Sequence, residues 1–76
     1  MEKKKTNRGF TRYEFKDQFR QECSLQKSSL ATGDCIWLGV DTDLEGNEVH
    51  CRMHLTRNQI NKILPILEKF VKTGEI

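Results

Sequence analysis

The sequence predicts an α+β protein, in which a small four-stranded antiparallel meander carries one C-terminal helix packed on one face. Two observations lead to this fold class. Apolar and polar residues alternate with a period of two in four segments before residue 56. After residue 56, apolar residues recur at helical spacing instead. Because turn-forming residues separate the alternating segments, we expect each strand to pair with the next one.

The alternating segments divide their side chains between two unlike faces. We predict strands at 10–16, 21–29, 35–40 and 48–55. Residues 17–20 suit a hairpin turn, and a helical turn that brings Phe15 and Phe19 together is the alternative. Turns at 31–34 and 41–47 complete the meander. The apolar face, which the helix is expected to cover, consists of Leu25, Ile36, Leu38, Val40, Cys51, Met53 and Leu55.

The segment after residue 56 is the clearest helix in the sequence. Thr56 is a candidate N-cap, and Gln59 three residues later completes a capping box. Gly74 suits the position just after the last helical residue. Pro65 lacks a backbone N–H donor, so we expect it to kink or split the helix near Leu64. The apolar stripe comprises Ile60, Ile63, Leu64, Leu67, Phe70 and Val71.

Length and charge limit the possible classes of protein. Residues 10–76 are predicted to form one domain, preceded by a flexible basic tail at 1–9. Residues 1–8 carry four basic side chains against Glu2, a net charge of +3, which leaves −1 for the remainder of a chain whose formal charge is +2. Because the body is not basic, nucleic-acid binding is the less favoured role. Hydrophobic residues make up only 36% of the chain, and because such a core is marginal we expect a homo-oligomer.

Cysteine usage and hydropathy predict the compartment. The chain has three cysteines, an odd number, and no secretory apolar segment, which together indicate a reducing, cytoplasmic setting. No apolar run approaches the length that a membrane span requires, so no membrane partner is expected.

The second face of the predicted sheet collects unusual polar and aromatic side chains. An indole can stack on a base, a guanidinium can hold a phosphate with two hydrogen bonds, and hydroxyl and amide groups can bind a sugar or a base edge. The same residue types are also enriched at subunit interfaces, and both roles are possible if a pocket lies between subunits. The candidate ligand-binding residues are Ser24, Gln26, Ser28, Trp37, Arg52 and His54, with His50 on the same face.

Other kinds of site are less favoured by the sequence. The cysteines lack the close pairing typical of zinc sites, and the strand alternation places Cys51 opposite His50 and His54, so no metal or cofactor is predicted. Residues 41–46 are similar to the start of a calcium-binding loop, but Arg52 occupies the position of the essential glutamate. No nucleophile-elbow motif accompanies the serines, so we predict no enzyme activity.

Several strings of residues resemble a family of small, mostly uncharacterised phage and prophage proteins. They are CSLQKSSLA at 23–31, IWLG at 36–39, RMHL at 52–55 and LPxLxxFxxTG at 64–74. The resemblance covers residues 13–76. It departs from the family at Arg20, where relatives often have glycine, and at 41–50, where relatives carry a longer segment. The family supplies no catalytic residues for this chain. The resemblance implies an accessory phage protein that acts in the host bacterial cytoplasm.

Small phage proteins of this kind often counter host immunity, either by sequestering nucleotide signals or by blocking a defence protein. The leading hypothesis is therefore a non-enzymatic binding protein that sequesters a small anionic, nucleotide-like signal. One alternative is a protein-interaction inhibitor of a host defence or replication protein. A second alternative is a nucleic-acid-binding accessory protein.

Overall fold

The protein is an antiparallel sheet followed by one helix. The computed structural model describes residues 1–30 and 33–76, apart from the side chain of His50. The elements are β1 Glu2–Lys5, β2 Thr11–Lys16, β3 Glu22–Lys27, β4 Cys35–Thr42, β5 Glu48–Thr56 and α1 Arg57–Thr73. The strands follow chain order across the sheet, so β1 and β5 are its edges. The predicted α+β class is confirmed, whereas the prediction of four strands is wrong because the sheet has five.

The additional strand, β1, lies in the segment for which the sequence predicts a flexible basic tail. It pairs antiparallel with β2, and Lys4 Nζ lies 2.8 Å from Glu14 Oε1 on that strand. In the loop between them, Thr6 N donates to Phe10 O, and Phe10 N donates to Thr6 Oγ1. A run of lysines is typical of a disordered segment. The cross-strand carboxylate and the bonded loop explain why this run is a strand instead.

Three hairpin loops share one geometry. In the loops at 6–10, 17–21 and 43–47, the first N–H donates to the fifth carbonyl and the fourth N–H donates to the first carbonyl. The fourth residue has a positive φ in each loop: 82° at Gly9, 66° at Arg20 and 85° at Gly46. This is a type I turn followed by a left-handed bulge residue. The hairpin prediction for 17–20 is therefore confirmed over the helical alternative. The predicted turn at 31–34 includes two residues that lie outside the described part of the chain.

The helix begins and ends as predicted. The Thr56 side chain accepts a hydrogen bond from Gln59 N, and Gln59 Oε1 accepts one from Thr56 N. Gly74 adopts a left-handed conformation, with φ 74°, and its N–H donates to Phe70 O. Of the two expected effects of Pro65, a kink or a split, the split does not occur, because α1 is continuous through it. Hydrogen-bonded caps at both ends help the helix to tolerate the loss of the one backbone hydrogen bond that proline removes.

The sequence predicts a helix that covers one face of the sheet, but the structure does not place it there. β5 ends at Thr56 and α1 begins at Arg57, so no loop residue separates the two elements. A chain normally needs connecting residues to turn back over the strand it has just left. α1 therefore contacts mainly β5, and every residue in it is exposed except the half-buried Ile60.

The predicted apolar set does share one face of the sheet. Cross-strand pairs join Tyr13 to Leu25, Leu25 to Leu38 and Leu38 to Met53. Directly paired residues point to the same side of a sheet. Neighbouring rows add Phe15, Cys23, Val40, Cys51, Ile36 and Leu55. Without a helix above them, these side chains remain partly open, and Cys23 is the only buried hydrophobic residue in the described part of the chain.

Candidate functional site

The strand register brings the predicted polar residues to the opposite face. Gln26 pairs with Trp37 and Trp37 with His54, while Ser24 pairs with Gly39 and Gly39 with Arg52. Ser28 continues the β3 ladder, since its N–H donates to Cys35 O. Arg12 and Glu14 of β2 pair with residues of the same two rows. We call this surface the polar face; it comprises Arg12, Glu14, Ser24, Gln26, Ser28, Trp37, Asp41, Arg52 and His54.

Trp37 and His54 form the aromatic part of the polar face. Their ring centroids lie 4.2 Å apart and their planes are inclined by 25°, which is a stacked arrangement. His54 lies on the edge strand β5 and is exposed, whereas Trp37 is half-buried. The stack therefore runs from the interior of the sheet to its edge, where an aromatic ligand can extend it.

Ser28 holds the imidazole of His54 in this stack. Ser28 Oγ lies 2.8 Å from His54 Nε2 and also accepts a hydrogen bond from Leu30 N at 3.1 Å. A serine bonded to a histidine is also the pairing of a nucleophile with its base. Here the serine is only 5% exposed, and the described residues place no carboxylate within hydrogen-bonding distance of the histidine. This geometry favours a positioning role for Ser28.

Arg52 lies over the indole. Its guanidinium carbon is 5.5 Å from the Trp37 ring centroid, within the range of a cation–π contact. Its Nε is 3.5 Å from Asp41 Oδ1, and its side chain is 31% exposed. The described residues offer no hydrogen-bond acceptor to its two terminal nitrogens. The guanidinium therefore lies beside an aromatic ring, and the donors on its terminal nitrogens are not used by the described residues.

Arg12, by contrast, is fully engaged by its neighbours. It donates to Glu14 at 2.9 Å, to Asp41 at 2.7 Å and to Gln26 at 3.3 Å. Burial alone lowers the pKa of Arg12, but the hydrogen bonds to the two carboxylates outweigh this effect and raise it. Glu14 is also bonded to Lys4, and both cations hold the pKa of Glu14 below its ordinary value.

Ser24 lies beneath this network. Arg12 is on β2 and Asp41 is on β4, so the side chain that joins them crosses β3 at the level of Ser24. The residue is completely buried, and its hydroxyl has no hydrogen-bond partner among the described residues. It therefore belongs to the floor of the polar face and presents no group to solvent in this conformation.

Two backbone features shape the face along β4. The register shifts between Val40 and Thr42, and Asp41 at this bulge turns its carboxylate to the two arginines. At Gly39, an added Cβ would collide with the carbonyl oxygen of Cys51 and lie 2.7 Å from Arg52 Cα. The absence of a side chain at Gly39 therefore allows the β5 backbone to approach β4 closely beside Arg52.

The structure thus groups the six predicted site residues and divides them by role. Trp37, Arg52 and His54 are accessible, Ser28 positions the imidazole, Gln26 accepts from Arg12, and Ser24 is buried. Arg12 and Asp41 are absent from the predicted site. Arg12 alternates with the apolar side chain of Tyr13, a signal that places it on the polar face once β2 and β3 are paired. Asp41 follows the predicted end of its strand, and no sequence signal reveals the bulge that recruits it.

Two openings lie near the polar face and the helix. A recess of about 270 Å³ is lined by Arg12, Asp41, Thr42, Glu48, Val49 and Arg52. A larger cleft of about 760 Å³ separates the start of α1 from the ends of β3 and β4. The first is smaller than the usual pocket for a drug-sized molecule. Within the described residues, no cluster of three or more metal-ligating side chains is found.

Comparisons with protein-family models, with curated proteins and with solved structures find no match to this chain. In the described part of the chain, no helix combines the length and apolar character that crossing a membrane demands.

Proposed function

We propose that the polar face binds a small anionic, nucleotide-like ligand without catalysing its conversion. The observation that carries this proposal is the pairing of an aromatic stack with an adjacent guanidinium whose terminal donors are not used by any described residue. Trp37 and His54 supply the stack, and Arg52 supplies the donors. A base and a phosphate are the two chemical groups that such a pair recognises.

The base would extend the stack at the edge of the sheet. His54 is exposed there, and Ser28 fixes the plane of its ring. Stacking of a base on an aromatic side chain contributes on the order of 1–3 kcal/mol. Because the imidazole is held before a ligand arrives, little side-chain entropy is lost on binding.

The charge distribution favours one phosphate group over a long polyanion. Lys4 is bonded to Glu14, and Arg12 is bonded to Glu14 and Asp41, so these two cations are neutralised within the protein. Among the described residues, Arg52 has one carboxylate contact, at 3.5 Å. A nucleic-acid backbone would need a track of free cations and would meet the same two carboxylates. The small ligand is therefore preferred to single-stranded nucleic acid.

The biological role follows from the phage-family resemblance. A stoichiometric binding protein that removes a nucleotide signal in the host bacterial cytoplasm would counter an immune response that depends on that signal. Sequestration needs affinity and abundance but no turnover, which agrees with a serine that is buried and committed to positioning a histidine.

The test uses the single tryptophan of the chain as its probe. Titration with a panel of cyclic mono-, di- and oligonucleotides, followed by Trp37 emission and by calorimetry, is expected to show saturable binding by at least one member. Arg52→Gln is expected to weaken that binding at least tenfold. Arg57→Gln removes the same charge from an 84% exposed side chain on α1 and is the matched control.

Two results would contradict the proposal. The first is the absence of any spectral or calorimetric change with every nucleotide in the panel. The second is an equal loss of affinity in Arg52→Gln and Arg57→Gln, which would mean that only net charge matters. If no nucleotide binds and a host protein is captured by the wild type but not by Trp37→Ala, the same face is better described as a protein-inhibitory surface.

A further inference from the structure

The chain carries two apolar surfaces that its described residues leave uncovered. One is the apolar face of the sheet, where Met53 is 53% exposed. The other is the stripe of α1, where Leu64, Leu67 and Phe70 are 48%, 51% and 54% exposed. Exposed apolar surface of this extent is unusual for a monomer and marks an interaction site.

The connection between β5 and α1 explains why these surfaces do not cover each other. Thr56 is the last residue of β5 and also the N-cap of α1, fixed there by its reciprocal bonds with Gln59. The cap leaves no residues in which the chain could reverse its direction. The helix could therefore lie over the sheet of its own chain only if the Thr56 cap were lost. The stripe of α1 and the apolar face are thus available to another molecule at the same time.

We propose that the other molecule is a second copy of this chain, and that the helix of each copy lies on the apolar face of the other. A two-fold axis then buries both surfaces of both chains with one kind of contact. The molecule that covers these surfaces has to be present whenever the chain is folded, because one chain alone buries little apolar surface: Cys23 is the only buried hydrophobic residue described. A second copy is the partner that meets this requirement in every setting.

The dimensions of the two surfaces agree. α1 has 17 residues, which corresponds to a length of about 25 Å. Four antiparallel strands at their usual spacing are about 19 Å wide, so one helix spans the apolar part of β2 to β5. Stable interfaces bury about 1,200–2,000 Å², and the two-fold arrangement contributes two helix–sheet contacts to that area. The 760 Å³ cleft beside α1 lies next to the uncovered Ile36 and adds room for the partner's side chains.

This arrangement leaves the polar face outside the interface, because the polar and apolar residues occupy opposite sides of the sheet. The dimer is therefore independent of the proposed function. Trp37→Ala is expected to leave the mass of the dimer unchanged. Loss of the dimer is expected to affect ligand binding through the stability of the fold, not through a direct contact with the ligand.

Light scattering after size exclusion tests the proposal on the full chain. The wild type is expected at twice the chain mass of 8.9 kDa. Leu67→Glu on the helix and Met53→Glu on the sheet are each expected to shift it to the mass of one chain. Lys62→Glu, which places the same carboxylate on the opposite side of the helix, is the control and should keep the dimer.

A mixture of the two disrupted variants distinguishes helix exchange from other dimers. Leu67→Glu retains an intact sheet and Met53→Glu retains an intact helix, so the mixed pair keeps one unaltered helix–sheet contact. We expect the dimer mass to reappear partially on mixing. Failure of the mixture to recover any dimer would overturn the exchanged arrangement.

Wild-type protein alone provides a further test if the variants do not fold. The midpoint of thermal unfolding is expected to rise with protein concentration, because folding and association are coupled. Cys51, which lies on the apolar face and is exposed in one chain, should react slowly with a thiol reagent in the dimer. A wild-type mass of one chain, or a midpoint independent of concentration, would overturn the proposal.

Discussion

The indole of Trp37 stacks on the imidazole of His54 at 4.2 Å, and Ser28 Oγ holds that imidazole at 2.8 Å. These residues belong to three consecutive structural units: the end of β3, β4 and β5. Their meeting depends on the register of two strand pairs. The stack is therefore a sensitive reporter of both the fold and the candidate site.

Replacing Ser28 by alanine is expected to loosen the stack. The change removes the hydrogen bond to His54 and the one from Leu30 N, so we expect the free energy of unfolding to fall by about 1–2 kcal/mol. Trp37 emission should shift at the same time, because its ring partner is no longer held. Denaturant titration followed by fluorescence measures both. Ser29→Ala, at an exposed neighbouring serine, should change neither.

Ser24 should behave in the opposite way. Its hydroxyl is completely buried and has no partner among the described residues, so it has lost its hydration without compensation. Ser24→Ala is expected to leave the free energy of unfolding unchanged or to raise it by up to about 1 kcal/mol. Parallel urea titrations of the Ser24 and Ser28 variants measure the contrast. A loss above that of Ser28→Ala would reveal a bonding partner for the hydroxyl.

Glycine is expected to be essential at position 39. A Cβ there meets the backbone of Cys51 and Arg52, and backbone atoms of a paired strand cannot move aside without breaking the ladder. We expect Gly39→Ala to cost at least about 3 kcal/mol, or to prevent folding. Gly33→Ala is the control, since a Cβ at Gly33 meets nothing within 4 Å. Thermal unfolding by circular dichroism compares the two, and equal midpoints would contradict the steric argument.

Arg20 occupies the position where the other two loops of the same geometry have glycine. Its φ of 66° lies in the left-handed region, which is unfavourable for a residue with a side chain. We expect Arg20→Gly to raise the free energy of unfolding by about 0.5–1 kcal/mol. The reciprocal change, Gly46→Arg, should lower it by a similar amount. Chemical denaturation midpoints of both variants test the pair, and changes of the same sign would refute the shared-loop interpretation.

The loop aspartates predict how stability depends on pH. Backbone N–H donors bond the carboxylates of Asp17 and Asp43, chiefly from Gln21 and Asn47, and lower the pKa of each below its ordinary value of 3.8. A carboxyl with a lowered pKa in the folded state stabilises the protein above its unfolded pKa, and this stabilisation is lost as the pH falls. We expect the temperature of the unfolding midpoint to fall as the pH is lowered below about 4.

Neutral variants measure this dependence directly. Asp43→Asn should flatten the fall in thermal midpoint between about pH 5 and about pH 3, an interval that brackets the ordinary aspartate pKa of 3.8. Glu68→Gln, at an exposed helix carboxylate outside the loops, is the control. If the wild-type midpoint is constant across this interval, the loop hydrogen bonds do not favour the ionised carboxylates.

Much of the site is predictable because alternation along strands is a local property. Trp37, Arg52 and His54 share a face for the same reason that Leu38, Cys51 and Met53 share the other one. Arg12 is absent from the predicted site although its alternation with Tyr13 places it there. Asp41 is absent for a different reason: the bulge that turns it to the arginines is a property of paired strands, which a single segment does not encode visibly.

The sequence by itself determined the class of the fold, the hairpin turn at 17–20, the two caps of the helix and the sorting of residues between two faces. Each of these depends on residues close together in the chain. Only the tertiary structure decided that the lysine run forms a strand, that Ser24 is sealed beneath Arg12, and that α1 leaves the apolar face uncovered. These features depend on which strand lies beside which and on how many residues join two elements. The direct passage from Thr56 to Arg57 is the physical reason that the predicted helix-covered sheet is not formed within one chain.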